Sequence, residues 1–387
     1  VLASVCIAVF LIGMPSSLLA QNLAKDQELS ISLLAADMKT ADPHFAATTS
    51  DRIIVDMIFN GLIRYKPGNY PEIEPDLSVE VPTPEMVDGK QVWMFKLRQG
   101  VMTHPFPGSP GGYELTAEDV VFSFQRAADS NRSAWAGEYP SWLHVEAVDK
   151  YTVKIILDKP LSANLFFPKV ADYAGGFIVP KKAVEALGEK EFKTHPVGTG
   201  PFMFEKYLPA ERIILKRNDN YFKGKPILSK INGVFMGDVT SAELALRKGE
   251  LKAMIGPTEQ AWVDKVSKNK GIVVDIFGPG EVATISYNMK KPPLDNPKVR
   301  KAMAYAYSRK ELMALFGNSI AAPMYSPVPV GLLAGGLSEA ELKEAGIDWE
   351  AGDNDINIQK AKQLLSEAGY PNGVKLTVYA SEMGYYI

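Results

Sequence analysis

The chain has 387 residues, of which 46% are hydrophobic and 22% charged, and its formal net charge is −3. A chain of this length can bury two hydrophobic cores, and the composition is that of an ordinary globular protein. No basic run of the kind that binds nucleic acid stands in the sequence, so we expect no nucleic-acid partner.

The N-terminal residues are typical of a secretory signal. Residues 5–12 form an almost wholly apolar run, and small residues follow as far as Ala20. The run is shorter than the roughly 20 residues that span a bilayer, so we predict that residues 1–20 are part of a signal peptide for export to the periplasm. Cleavage after Ala20 or Ala24 would fit, and a buried N-terminal strand or helix is the alternative. Cys6 is the only cysteine, so the mature chain would contain no disulfide.

A first helix is predicted at residues 49–59. Ile54 and Ile58 recur at helical spacing, and Ser50 or Asp51 provides a capping side chain. The loop that precedes it therefore opens onto a helix N-terminus.

A second helix is predicted to begin after Thr116. The segment from Thr116 to Asp119 resembles a capping box, with Asp119 where glutamate normally stands. Further strands are predicted at 28–34, 151–157, 271–277, 283–288 and 374–379, and further helices at 183–187 and 240–248. Strands that alternate with helices indicate an α/β fold. Residues 278–280, Gly-Pro-Gly, are either a hinge crossing or an ordinary hairpin turn.

The most informative string is Val197-Gly-Thr-Gly-Pro-Phe202, which is followed by a charged hairpin at 211–218 and by Tyr221-Phe-Lys-Gly-Lys-Pro226. Taken alone, its glycines and proline predict only a turn, because glycine provides φ > 0 and proline fixes φ. Five further segments are also informative, at 93–100, 115–126, 286–295, 299–307 and 361–373. Together they resemble the family 5 extracellular solute-binding proteins, the receptors of peptide, opine and nickel ABC importers.

The resemblance implies the two-lobe periplasmic-binding-protein fold of class II, an α/β fold with an extra subdomain. It places the core of lobe I at 27–66 and 190–277, the inserted subdomain at 67–189 and an incomplete lobe II at 281–387. Members of the family continue beyond this point, so we expect the C-terminal part of the fold to be missing from this chain.

The resemblance also implies a function. The protein would be a monomer that captures small peptides in the periplasm and delivers them to ABC permease subunits in the inner membrane. Another cargo (an opine, a nickel chelate, haem or an oligosaccharide) is the alternative, as is a periplasmic chaperone or signalling receptor. We expect no enzyme, no cofactor and no metal site, because no nucleophile elbow, phosphate loop, dinucleotide fingerprint or metal-spaced histidine pair is found in the sequence.

Three segments, at 45–49, 173–176 and 381–385, match regions that contact ligand in the family. Thr49 is equally suited to cap the helix, and the Tyr173-Ala-Gly-Gly176 segment is either a close approach to ligand or a plain turn. In the third segment, dipeptide-binding relatives carry an arginine that pairs with the ligand carboxylate, and none stands here, which puts that mode of recognition in doubt. The predicted ligand-binding residues are His44, Phe45, Ala47, Thr48, Thr49, Tyr173, Gly175, Ser381, Glu382 and Tyr385.

Overall fold

The computed structural model describes residues 27–68, 72–257, 259–276, 282, 284–317, 320–322, 324–328, 330, 335–346 and 355–379. The predicted signal peptide, the candidate hinge at 278–280 and the third predicted ligand segment (Ser381, Glu382 and Tyr385) lie outside these ranges. Those predictions stay predictions.

The described chain alternates strands and helices. The strands are β1 Glu28–Ser32, β2 Ile63–Tyr65, β3 Ile73–Pro75, β4 Glu85–Val87, β5 Lys90–Lys96, β6 Leu143–Asp149, β7 Thr152–Leu157, β8 Phe202–Leu208, β9 Arg212–Arg217, β10 Lys230–Val234 and β11 Ala253–Met254. The helices are α1 Thr49–Ile58, α2 Ala117–Ala127, α3 Ala163–Phe166, α4 Lys181–Phe192, α5 Val239–Lys248, α6 Gln260–Val266, α7 Pro297–Ala306, α8 Arg309–Phe316, α9 Glu339–Glu344 and α10 Asp355–Glu367.

A five-stranded mixed sheet has the order β11-β1-β10-β9-β8. β1 runs parallel to both β10 and β11, whereas β9 runs antiparallel to its two neighbours, β8 and β10. Its core includes Ile54 and Ile58 of α1, packed with Leu215 and Ile231 of the sheet. The first strand of the chain is thus joined to strands some 200 residues later.

A second, antiparallel sheet has the order β4-β5-β7-β6 and belongs to a separate core. There Trp93 of β5 stacks on Phe166 with ring centroids 4.4 Å apart, and Val120 of α2 is buried in the same cluster. All buried members of this second core fall between Leu62 and Ile178. The lobe and subdomain boundaries stated above remain a prediction.

The Gly-Thr-Gly-Pro string packs against the end of α1. A Cβ on Gly198 would lie 2.0 Å from the carbonyl oxygen of Ile58, and one on Gly200 would lie 2.6 Å from the Ile58 carbonyl carbon. Neither glycine has a positive φ. The prediction that these glycines provide φ > 0 is therefore wrong. Glycine is required here because the two backbones approach each other too closely for a side chain.

Polar side chains connect the same strings to the second core. The Thr199 hydroxyl donates to the Asn60 amide oxygen at 2.9 Å, and the Asn60 amide nitrogen donates to the fully buried Asp76 carboxylate at 2.9 Å. Lys223 completes the chain with an ion pair to Asp76 at 2.8 Å. These motif residues are explained by structure alone, since a buried carboxylate requires such partners.

The predicted helix starts are close to those observed. α2 begins after Thr116, whose backbone N–H donates to the Asp119 carboxylate at 2.9 Å, as the capping box predicted. α1 is capped one residue before the predicted candidates, because Thr48 has an extended backbone and its hydroxyl accepts from the Asp51 N–H at 3.2 Å. The cap is therefore Thr48 and not Thr49, Ser50 or Asp51.

Three predicted strands are wrong. The described residues within 271–277, 283–288 and 374–379 form no strand, and side chains such as Val273 and Tyr379 are 90% and 94% exposed. A strand needs a hydrogen-bonded neighbour, and within the described ranges none pairs with these segments. Apolar alternation predicted the local preference but could not provide the partner.

No helix in the described part of the chain has both the length and the apolar character that a membrane span requires.

Candidate functional site

The loop before α1 places the first predicted ligand segment at the surface. The N–H groups of Phe45 and Ala46 both donate to the carbonyl oxygen of Asp42, which curls the loop into the helix start. Ala47 and Thr49 are exposed, whereas Thr48 is half-buried as the cap. The beginning of α1 therefore offers the side chain and backbone of Ala47 and Thr49 to a ligand.

His44 points the other way, into the interior. Its Nε2 donates to the Phe177 carbonyl oxygen at 3.1 Å, and its Nδ1 accepts from Arg126 at 2.8 Å. This network assigns the neutral Nε2–H tautomer. Burial, followed by the Arg126 charge, lowers the pKa of His44 to about 3. The predicted contact between His44 and ligand does not fit this geometry, because both ring nitrogens are engaged and the side chain is fully buried.

Arg126 holds the loop before α1 in place from the interior of the protein. It donates two hydrogen bonds to Asp42 and two to Glu189, and its side chain is completely buried. Phe45 covers the same network, with Lys193 Nζ 3.8 Å from its ring centroid. The half-buried Phe45 is therefore first a packing residue in this structure.

The second predicted segment contributes Tyr173 but not its glycines. Tyr173 is 42% exposed. A Cβ on Gly175 would lie 2.6 Å from the Tyr139 ring, and one on Gly176 would lie 2.2 Å from the Ala171 carbonyl oxygen. Both glycines are buried, so they permit close packing inside the protein and not the approach of a ligand.

Arg52 joins the two predicted segments. It lies one turn into α1, and its Nη1 donates to the Tyr173 hydroxyl at 3.1 Å. Its guanidinium carbon is 4.9 Å from the Tyr173 ring centroid and 5.4 Å from that of Trp135. We call Arg52, Trp135 and Tyr173 the Arg52 cluster.

The Arg52 cluster has unused hydrogen-bond donors. Within the described ranges, Arg52 Nε and Trp135 Nε1 have no hydrogen-bond partner. No carboxylate within the described ranges forms an ion pair with Arg52 either. Buried polar groups are normally satisfied, so the two orphan N–H groups mark a place where the protein alone leaves donors unmatched.

Two carboxylates lie beside the cluster. Asp56 follows Arg52 by one helical turn, and Asp172 precedes Tyr173 in the chain. Burial raises the pKa of Asp56 to about 7, with Arg52 opposing, and raises the pKa of Asp172 to about 8. Asp56 keeps an exposed face, so solvent screens part of the cost of its charge. Asp172 also accepts a hydrogen bond from the Tyr65 N–H at 3.0 Å.

A surface depression of about 580 Å³ lies elsewhere, beside the start of α2 and α4. Its lining includes Tyr113, Glu118 and Lys182, and none of the predicted ligand residues. We therefore centre the candidate site on the Arg52 cluster, where two predicted segments meet.

The sequence reasoning missed Arg52, Asp56, Trp135 and Asp172. A signal for the first two was present, because residues 49, 52 and 56 are spaced by three and four and share one face of a predicted helix. Trp135 and Asp172 carry no comparable local signal, since only the fold brings them to α1.

Comparison with known proteins identifies the family. Residues 72–384 match the model of the bacterial extracellular solute-binding proteins, family 5, middle region. The chain belongs to this family, and its two-lobe periplasmic-binding-protein fold is the one that the sequence resemblance implied.

The names of individual relatives refer to different ligands. The chain is 29% identical over 340 residues to heme-binding protein A of Haemophilus influenzae (84% of this chain, 59% of that protein). It is 28% identical over 353 residues to the dipeptide-binding protein of Escherichia coli K12 (87% and 62%). The chain thus spans about 60% of the length of these curated relatives.

Solved structures show the same fold. MoaA from A. tumefaciens R10, in complex with mannopinic acid, superposes with a TM-score of 0.74 at 36% identity, covering 92% of this chain and 68% of that one. DppA from Helicobacter pylori, in complex with the peptide STSA, superposes with a TM-score of 0.72 at 28% identity, covering 89% and 67%.

Proposed function

We propose that this protein is the substrate-binding component of an ABC importer. It captures a small peptide in the periplasm and delivers it to permease subunits in the inner membrane. The structural observation that supports this most is the Arg52–Tyr173 contact, which brings the exposed start of α1 and the 173 segment onto one surface. The proposal also includes a monomer, no catalysis, no cofactor and export through a signal peptide.

An opine is the second candidate cargo. The mannopinic acid complex is more similar in sequence to this chain than the peptide complex is, at 36% against 28% identity. Residues 380–387 also contain no arginine to pair with a dipeptide carboxylate. Both cargo classes are small and polar and bear a carboxylate, so the candidate surface is compatible with either.

The mechanism follows from a ligand that contacts two lobes. A ligand stabilises the closed form only by the interactions it makes there and not in the open form. The Arg52 cluster would supply one half of the contacts, and the residues around 381–385 are predicted to supply part of the other half. The closed form would then dock on the permease.

Calorimetric titration of the complete protein tests the proposal. The two probes are the peptide Ser-Thr-Ser-Ala and mannopinic acid, with acetate as the control for nonspecific anion binding. Saturable one-site binding of either probe, with a smaller radius of gyration by small-angle scattering, is the expected result. An absence of binding, or binding without compaction, would count against a hinged receptor.

A further inference from the structure

We propose that Arg52 binds a carboxylate group of the cargo, with Trp135 and Tyr173 holding its guanidinium plane in place. This inference rests on the proposed function and names the chemical group that the Arg52 cluster recognises.

The donors of Arg52 are largely unused. A guanidinium carries five N–H donors in a planar fork that matches two carboxylate oxygens. In the described part of the chain, the one hydrogen bond that Arg52 donates goes to the Tyr173 hydroxyl. The outer edge of the fork is therefore free to donate to a ligand, and the orphan Nε shows that internal partners do not satisfy the group.

Arg52 also forms no ion pair with a carboxylate of the described residues. Several other arginines in the structure contact carboxylates, such as Arg126 with Asp42 and Arg64 with Glu74. Arg52 has only Asp56 one helical turn away, beyond ion-pair distance. A half-buried cation that contacts no carboxylate loses hydration and gains little in return. A ligand carboxylate at the fork would supply the missing partner.

The aromatic rings make the fork rigid. Arg52 lies 4.9 Å from the Tyr173 centroid and 5.4 Å from the Trp135 centroid, within the range of cation–π contact. A guanidinium held in this way loses less conformational entropy on binding than a free side chain. The position near the N-terminus of the ten-residue α1 adds a favourable field for an anion.

The cluster faces solvent on the side of the predicted ligand residues. Tyr173 is 42% exposed, and Thr49, one turn before Arg52, is exposed on the same helix face. A carboxylate bound at Arg52 would therefore lie within reach of Ala47 and Thr49.

The test compares a free acid with its amide in the complete protein. The probes are Ser-Thr-Ser-Ala, its C-terminal amide, and mannopinic acid. We compare wild type with Arg52→Gln and Arg52→Lys, and with Arg212→Gln as a control for an exposed arginine that already pairs with Glu211. Thermal melts verify that each variant folds.

Arg52→Gln should weaken binding of the acid probe by about tenfold or more, because a charged hydrogen-bond pair is lost. Arg52→Lys should fall in between, and the amide should bind wild type and Arg52→Gln alike. Equal loss of acid and amide, or wild-type affinity in Arg52→Gln, would overturn the inference and leave the receptor function intact. A wild-type protein that binds none of the probes contradicts the proposed function, and the inference falls with it.

Discussion

Arg52 Nη1 donates a hydrogen bond to the Tyr173 hydroxyl at 3.1 Å, although 121 residues separate the two in sequence. The contact ties the first turn of α1 to the loop between Ala171 and Ile178 of the second core. It therefore makes the position of Tyr173 depend on α1, and the orientation of Arg52 depend on that loop.

Removal of the Tyr173 hydroxyl should loosen Arg52 without removing the ring. We expect Tyr173→Phe to weaken ligand binding by about two- to fivefold, since one neutral hydrogen-bond acceptor is lost. Tyr173→Ala should weaken it further, because the cation–π contact is lost as well. Titration calorimetry on both variants measures the difference. Identical affinities for the two variants would show that the ring does not position Arg52.

Arg126 should be a stability residue with no direct effect on ligand. We expect Arg126→Met to lower the free energy of unfolding by about 3–5 kcal/mol, because Asp42 would remain buried without its partner. Arg132→Met is the matched control, since Arg132 is partly exposed and pairs only with Glu189. Its cost should stay below about 1 kcal/mol. Urea unfolding that shows equal losses for the two variants would contradict the buried network.

The glycines of the Gly-Thr-Gly-Pro string should not accept even a methyl group. We expect Gly198→Ala to destabilise the protein by about 2–4 kcal/mol, because its Cβ would meet the Ile58 carbonyl oxygen at 2.0 Å. Gly137→Ala is the control, since a Cβ there meets nothing within 4 Å. Thermal unfolding compares them. A Gly198→Ala melting temperature equal to that of the control would show that the two backbones are not in contact.

His104 should make the protein sensitive to acid. Its Nε2 donates to the Gly200 carbonyl oxygen at 2.9 Å, and burial lowers its pKa to about 4. Between pH 6.5 and 4 the unfolded histidine binds a proton that the folded one does not, so stability falls as the pH falls. From His104 alone we expect a loss of about 1–2 kcal/mol at pH 5 relative to pH 7.5.

His104→Gln keeps a donor and an acceptor but does not titrate. Its stability should therefore change less than that of wild type between pH 7.5 and 5, as measured by urea unfolding at each pH. Parallel pH profiles for the two proteins would contradict a neutral, buried His104.

Asp172 should change the stability with pH in the direction opposite to that of His104. Burial raises its pKa from about 3.8 to about 8, so the folded protein binds more protons than the unfolded one in this window and stability falls as the pH rises. Asp172→Asn keeps the oxygen that accepts from Tyr65 N–H. We expect the variant to be more stable than wild type at pH 8.5 by about 1–2 kcal/mol and to converge with it near pH 4. Equal stability at pH 8.5 would contradict a buried Asp172.

The sequence predicted those elements whose signals are local. α2 has a capping pair and α1 has apolar residues at helical spacing, and both helices are present close to the predicted bounds. The strand at 151–157 is present as β7, which has neighbours on both sides. The described residues of the segments 271–277 and 374–379 form no strand, because pairing depends on residues far away in the chain.

The candidate site also combines residues that local motifs predict with contacts that only the fold creates. Thr48, Thr49 and Tyr173 could be selected from short motifs, but their relation through Arg52 depends on how the chain folds. His44 and Gly175 carry suitable residue types and are buried by contacts that no local pattern reveals. The charge of Arg52 was visible in the sequence, whereas the lack of an ion pair between Arg52 and the described carboxylates was not.

Mass spectrometry of bound small molecules can show whether the protein is a receptor for a small solute. The complete protein is purified from its native periplasm and denatured, and the small molecules released from it are identified. We expect a set of short peptides or a single carboxylate-bearing compound, in amounts near one per protein, and less of it from Arg52→Gln. A protein that releases no small molecule, and binds none of the probes afterwards, would not be a receptor for a small solute.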